Sequence, residues 1–173
     1  MAVLSLSIQL NPESFALNKE ATLKNAISLR GTSKTGKSQT IRTFVELLTA
    51  KYPNAISEHE YRTKTDIRVV FTVNRLKIGV ESRGDRLIES LDLFVKSGCD
   101  VIICATRTKG RTNDAISALQ FQGFDVYWLE QPTRTQPHEQ VLRSLSTARE
   151  IVEKVTVLIT AAETPARTLS ATA

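Results

Sequence analysis

The sequence predicts an α/β protein whose sheet is mostly parallel and carries an antiparallel hairpin. Three observations lead there. Runs at 26–29 and 101–105 are apolar with almost no polar alternation, as strands covered on both faces are. Other segments repeat apolar residues three and four apart, the spacing of one helix face. Two alternating runs, Ile67, Val69, Phe71, Val73 and Leu76, Ile78, Val80, are joined by Asn74 and Arg75, a connection of hairpin length.

The most specific stretch is Gly31, Thr32, Ser33, Lys34, Thr35, Gly36, Lys37 and Ser38, which fits G-x-x-x-x-G-K-[ST] at each defined position. The two glycines let the backbone curl so that successive N–H groups point inward. The helix that begins there adds the positive end of its dipole. In such a loop Lys37 reaches the β- and γ-phosphates, the Ser38 hydroxyl ligates Mg²⁺, and Gln39 follows on the helix start as part of the phosphate-binding set. Context supports the match. An apolar strand precedes the loop and ends at Arg30; after it Ile41, Phe44, Val45 and Leu48 share one helix face, which stops before Pro53.

Residues 26–50 therefore resemble the Walker A segment of the P-loop NTPase superfamily. The resemblance implies a three-layer, P-loop NTPase-like α/β domain that takes a nucleoside triphosphate with Mg²⁺. It does not say which reaction follows.

At 173 residues the chain fits one domain, 1–160, with 161–173 read as a disordered tail of small and polar residues around Pro165. Hydrophobic content of 41% with only seven Gly and five Pro excludes a low-complexity chain. The net charge of +5 suits nucleic acid, an anionic membrane surface or phosphate ligands, and a triphosphate site needs cations in any case. Aromatic residues do not alternate with basic ones, so no base-stacking platform is evident. No apolar run approaches a membrane span, and the N-terminus lacks the charged start of a secretory signal. Cys99 and Cys104 in one extended strand would lie roughly 16 Å apart, too far to pair. Buried, reduced thiols in a cytoplasmic protein are expected, and isolated His59 and His138 suggest no Cys/His metal cluster.

In chain order, Leu4, Leu6, Ile8 and Leu10 alternate with polar residues and predict a strand for a sheet edge or for a second copy of the chain. Residues 11–24 are polar around Pro12, with room for one short helix, and carry no functional signal. Residues 51–66 are charged and irregular and predict a solvated loop, with 56–66 a candidate switch segment and Thr63 or Thr65 a conceivable Mg²⁺ hydroxyl.

The hairpin ends at Glu81, Ser82, Arg83, Gly84 and Asp85. In P-loop proteins a carboxylate at the end of a strand neighbouring the loop strand holds the Mg²⁺ water shell or orients the attacking water. Glu81 is the first candidate, for metal and catalysis, and Asp85 the second. Asp85 also fits the N-cap of the helix carrying Leu87, Ile88, Leu91, Phe94 and Val95, which Gly98 ends.

The strand at 101–105 delivers Thr106, Arg107, Thr108, Lys109, Gly110 and Arg111 to the side of the sheet where α/β proteins bind ligands. Arg107 or Arg111 could neutralise phosphoryl charge in a transition state. A helix through Ala115, Ile116 and Leu119 reaches Gly123, and a strand covers 125–129. It runs into Leu129, Glu130, Gln131 and Pro132 without the Asn-Lys-x-Asp that reads guanine, which favours ATP over GTP. From Pro137 the spacing predicts a long helix, although the β-branched run at 155–160 also suits a strand.

The expected function is Mg²⁺-dependent NTP binding and hydrolysis, stimulated by a partner if one completes the site. The alternatives are a small-molecule or nucleotide kinase, and a nucleotide-dependent switch that binds nucleic acid or protein.

Overall fold

The computed structural model describes residues 24–133 and 136–163. Strand β1 (Asn25–Arg30) leads through the glycine loop into helix α1 (Lys37–Lys51). Three strands follow, β2 (Ile56–Arg62), β3 (Ile67–Val73) and β4 (Leu76–Glu81), then α2 (Leu87–Lys96), β5 (Val101–Thr106) and α3 (Arg111–Ala118). A 3₁₀ turn (Leu119–Gln122), β6 (Asp125–Glu130) and α4 (Pro137–Glu163) complete it.

The six strands form one sheet in the order β2-β3-β4-β5-β1-β6. Pairings β4–β5, β5–β1 and β1–β6 are parallel, and β2–β3 and β3–β4 antiparallel. Burial explains the order. Every residue of β5 is buried, which suits a strand covered on both faces, whereas β2 is exposed along its whole length at an edge.

Two apolar cores lie on opposite faces of the sheet, giving three layers. On one face Ile41, Phe44, Val45 and Leu48 of α1 and Ala148, Ile151, Val155 and Ile159 of α4 pack against Ile27, Leu29 and Ile103. On the other, Leu87, Leu91 and Phe94 of α2 and Ile116 of α3 pack on Ala26, Ile102 and Cys104. Burying a Leu, Ile or Phe contributes roughly 1.5–3 kcal/mol, so these stripes hold the helices down despite modest local propensity.

Several expectations are corrected. The segment expected to be an irregular loop contains β2, which pairs with β3 through a register shift between Glu58 and Tyr61. It escapes pattern reading because neither face is buried, so no apolar alternation is required of it. Arg86 rather than Asp85 precedes the first turn of α2, without a side-chain cap. Residues 155–160 are helical because α4 lays Val155 and Ile159 into the core at helical spacing. Residues 161–163 belong to α4, so the tail expected from 161 begins no earlier than 164. The strand neighbouring β1 on the hairpin side is β5, not β4, because the α2 crossover inserts β5 between them. The strand expected at 4–10 and the tail at 164–173 lie outside the described residues.

Candidate functional site

The loops at the carboxyl ends of β1, β4 and β5 surround a cavity of 640 Å³. Its walls are Ser33, Lys34, Thr35, Gly36, Lys37, Ser38 and Gln39 from the glycine loop, Ser82, Gly84 and Asp85 after β4, Thr106 and Arg107 after β5, and Gln140 of α4. Gly31 and Thr32 are not part of that wall.

Both glycines are required by the packing. A Cβ at Gly31 would stand 2.5 Å from the Gln131 carbonyl oxygen, a backbone atom that cannot step aside. Gly36 has φ of 82° and ends the loop in the left-handed region, where a side chain is strained. A Cβ there would also press on Gln140 and Ser144 of α4 at 2.9 to 3.0 Å.

Lys37 folds back over the loop, donating to the Gly31 carbonyl at 2.8 Å, to the Thr32 carbonyl and to Thr35 Oγ1 at 3.3 Å. Burial lowers its pKa, and the nearby Arg107 guanidinium lowers it further. Among the described residues neither cation has a carboxylate within ion-pair distance. Two like charges held at one cavity repel, and an anion between them relieves that repulsion. The Ser38 hydroxyl lies 3.3 Å from the Ser82 carbonyl oxygen, which joins the loop to the end of β4.

The two candidate carboxylates part company. Asp85 lines the cavity. Glu81 does not; it is fully buried, and Arg83 grips it with Nε and Nη2, each at 3.1 Å. The Arg83 backbone N–H donates to Glu81 Oε1 at 2.9 Å, and the Ser90 hydroxyl donates to Oε2. Arg83 in turn stacks 4.2 Å from the Tyr61 ring centroid. The arginines separate as well: Arg107 stands in the wall, whereas Arg111 opens α3 in solvent and is not in it. Thr63 is occupied within its own turn, its hydroxyl accepting from the backbone of Thr65 and Asp66. Thr65 lines a neighbouring trough rather than the cavity.

The donor set fits Mg²⁺ with phosphate. Among the described residues no three His, Cys, Asp or Glu side chains cluster as a protein-only metal site would. One hydroxyl and one carboxylate, Ser38 and Asp85, suit an ion that keeps waters and shares phosphate oxygens.

Sequence reasoning passed over residues that hold the loop from behind. Gln131, just past β6, is buried and donates from Nε2 to the Thr35 carbonyl at 2.7 Å. Thr133 meets Thr32 hydroxyl to hydroxyl at 3.1 Å, and the Ser144 hydroxyl lies 3.4 Å from the Gly36 carbonyl. Nothing in residues 129–132 signalled this, because a lone glutamine after a strand has no pattern.

Fold and cavity together define an α/β protein with a glycine-curled, cation-faced cavity at the carboxyl ends of its parallel strands. No protein-family profile matches the chain, and neither a curated protein nor a solved structure matches it significantly. Among the described residues no helix is long and apolar enough to cross a membrane.

Proposed function

We propose that the chain binds a nucleoside triphosphate with Mg²⁺, ATP in preference to GTP, and hydrolyses its terminal phosphoanhydride, slowly alone and faster when a partner completes the site. The observation that carries this reading is the convergence of the Ser33–Gly36 bend, Lys37, Ser38, Asp85 and Arg107 around one cavity. The loop amides and Lys37 hold the phosphates. Ser38 and Asp85 would hold Mg²⁺, which when bound neutralises phosphate charge. Water attacks the γ-phosphorus, the bond to the β–γ bridging oxygen breaks, and the nucleoside diphosphate leaves with inorganic phosphate. Arg107 offsets the charge that builds on the transferring group.

Calorimetry of the full chain with ATP or GTP and magnesium tests it. Association that Lys37→Ala removes supports the reading; no heat at millimolar nucleotide overturns it.

A second reading, phosphoryl transfer to an anionic acceptor, is favoured by a trough of 450 Å³ that shares Ser38 and Gln39 with the cavity. Arg42 and Lys64 line it together with one carboxylate, Glu46. Transfer of phosphate to an added nucleoside monophosphate would select this reading. Phosphate release stimulated by DNA or RNA would instead select a nucleic-acid-linked switch.

A further inference from the structure

We infer that Gln131 is the positioning residue of the anion loop: its carboxamide holds Thr35 and Thr40 so that the bend keeps its curl before any phosphate arrives. The inference rests on the triphosphate reading for its consequence, but its geometry stands by itself. A curled loop directs its N–H groups inward only if its carbonyls are held outward, and each buried carbonyl then needs a donor. Gln131 supplies one. Nε2 donates to the Thr35 carbonyl at 2.7 Å, and the Thr40 hydroxyl sits 3.0 Å from Oε1. The same hydroxyl is 3.0 Å from the Gly36 carbonyl oxygen and shares its single proton between that oxygen and Gln131 Oε1, so one side chain of α1 connects the clamp to the second glycine.

The clamp is anchored to the sheet. The Gln131 N–H donates to the carbonyl of Arg30, the last residue of β1, at 2.8 Å, extending the β1–β6 ladder one residue past β6. Its own carbonyl is the atom against which Gly31 packs. Gln131 therefore touches the loop near its first glycine, at Thr35 and, through Thr40, at Gly36. A side chain 1% exposed and bonded at both ends has little freedom to reorient, which is what a preorganised site requires.

The chemistry demands an amide. A carboxylate has no proton to donate to Thr35 and would face that carbonyl oxygen with negative charge. Q131E therefore changes shape hardly at all but reverses the polarity of the contact. T40V removes the hydroxyl on the other side at constant volume and is the milder companion if Q131E folds poorly.

The test measures amide hydrogen exchange at Gly31 and Thr40, whose N–H groups donate to the Thr106 and Gly36 carbonyls at the two ends of the loop, in the full-length chain, with the melting temperature and the affinity for Mg·ATP, pyrophosphate and adenosine. In Q131E, exchange at Gly31 and Thr40 is expected to quicken by about tenfold or more, and in T40V by less, while β3 and β4 keep their protection. Affinity for ATP and for pyrophosphate should fall together by about tenfold or more, with adenosine unaffected, since only the phosphate cradle is disturbed. Loop exchange unchanged in both variants overturns the inference. So does a rise shared equally by β3 and β4, which would make Gln131 an ordinary core contact. If the loop loosens as expected but the unaltered chain binds neither ATP nor pyrophosphate, the positioning role stands and the triphosphate reading fails.

Discussion

The loops after β1 and β5 leave the same edge of the sheet and face the same cavity, yet they are held in opposite ways. The first is tied down by Gln131, Thr133, Ser144 and its own Lys37. In the second, residues 107–110 are exposed, and no side chain among them makes a hydrogen bond or ion pair within the described residues. The difference teaches what each can do. A loop whose carbonyls are already satisfied presents its amides at no further ordering cost, whereas a loop of free cations must still be ordered by its ligand. On the proposed reading, the first recognises phosphate and the second meets charge that arrives or develops later.

Removing the central cation of the tied loop is the strongest challenge to that contrast. Lys37→Ala should cost about 2–5 kcal/mol of triphosphate affinity by calorimetry, more than tenfold. Next comes Glu81, whose neighbour Arg83 is mostly buried. Glu81→Gln should lower stability by about 3 kcal/mol in denaturant titration, because it leaves a buried guanidinium without its countercharge. Asp85→Asn should leave the denaturation midpoint nearly unchanged and reduce phosphate release by about tenfold or more. Equal stability losses in the two variants would show that cavity and interior carboxylates do not have separate roles.

The free loop gives smaller effects. Arg107→Ala should weaken triphosphate binding or turnover by about tenfold at low salt, less as salt screens it. Arg111→Ala should change either by less than about twofold, since an exposed charge outside the wall contributes little. If Arg111 matters more than Arg107, the loop closes differently over its ligand.

The smallest effect concerns the strand beneath that loop. Burial pushes the Cys104 thiol up to about 12, and likewise Cys99, which stands two residues before the strand rather than in it as expected. Both should stay silent to thiol reagents at neutral pH until the chain unfolds. Because the folded chain holds these protons more tightly than the unfolded one, they contribute stability that is present below about pH 9 and is lost as pH rises toward 12. Denaturant titration across that window checks the sign.

Much of this was legible in one dimension. Lys37 followed by Ile41, Phe44, Val45 and Leu48 defines a helix because one face must be apolar, and the β5 run is apolar because both its faces are covered. Strand β2 was not legible, since an edge strand exposed on both faces leaves no pattern. Nor was the choice between Glu81 and Asp85. Both are carboxylates four residues apart, and what folds around them tells them apart: Arg83 and Ser90 close on one, and the cavity opens at the other.

The sequence by itself determined the glycine spacing, the lysine and serine that follow it, and the periodicities that make alternating strands and helices, because these depend on backbone freedom and burial within one segment. The tertiary structure alone decided that β5 would separate β4 from β1, that Arg107 and not Arg111 would share the cavity with Lys37, and that Gln131 would sit behind the loop. Those depend on chain crossing and on contacts between residues about a hundred positions apart, such as Gln131 and Thr35, which local pattern does not encode.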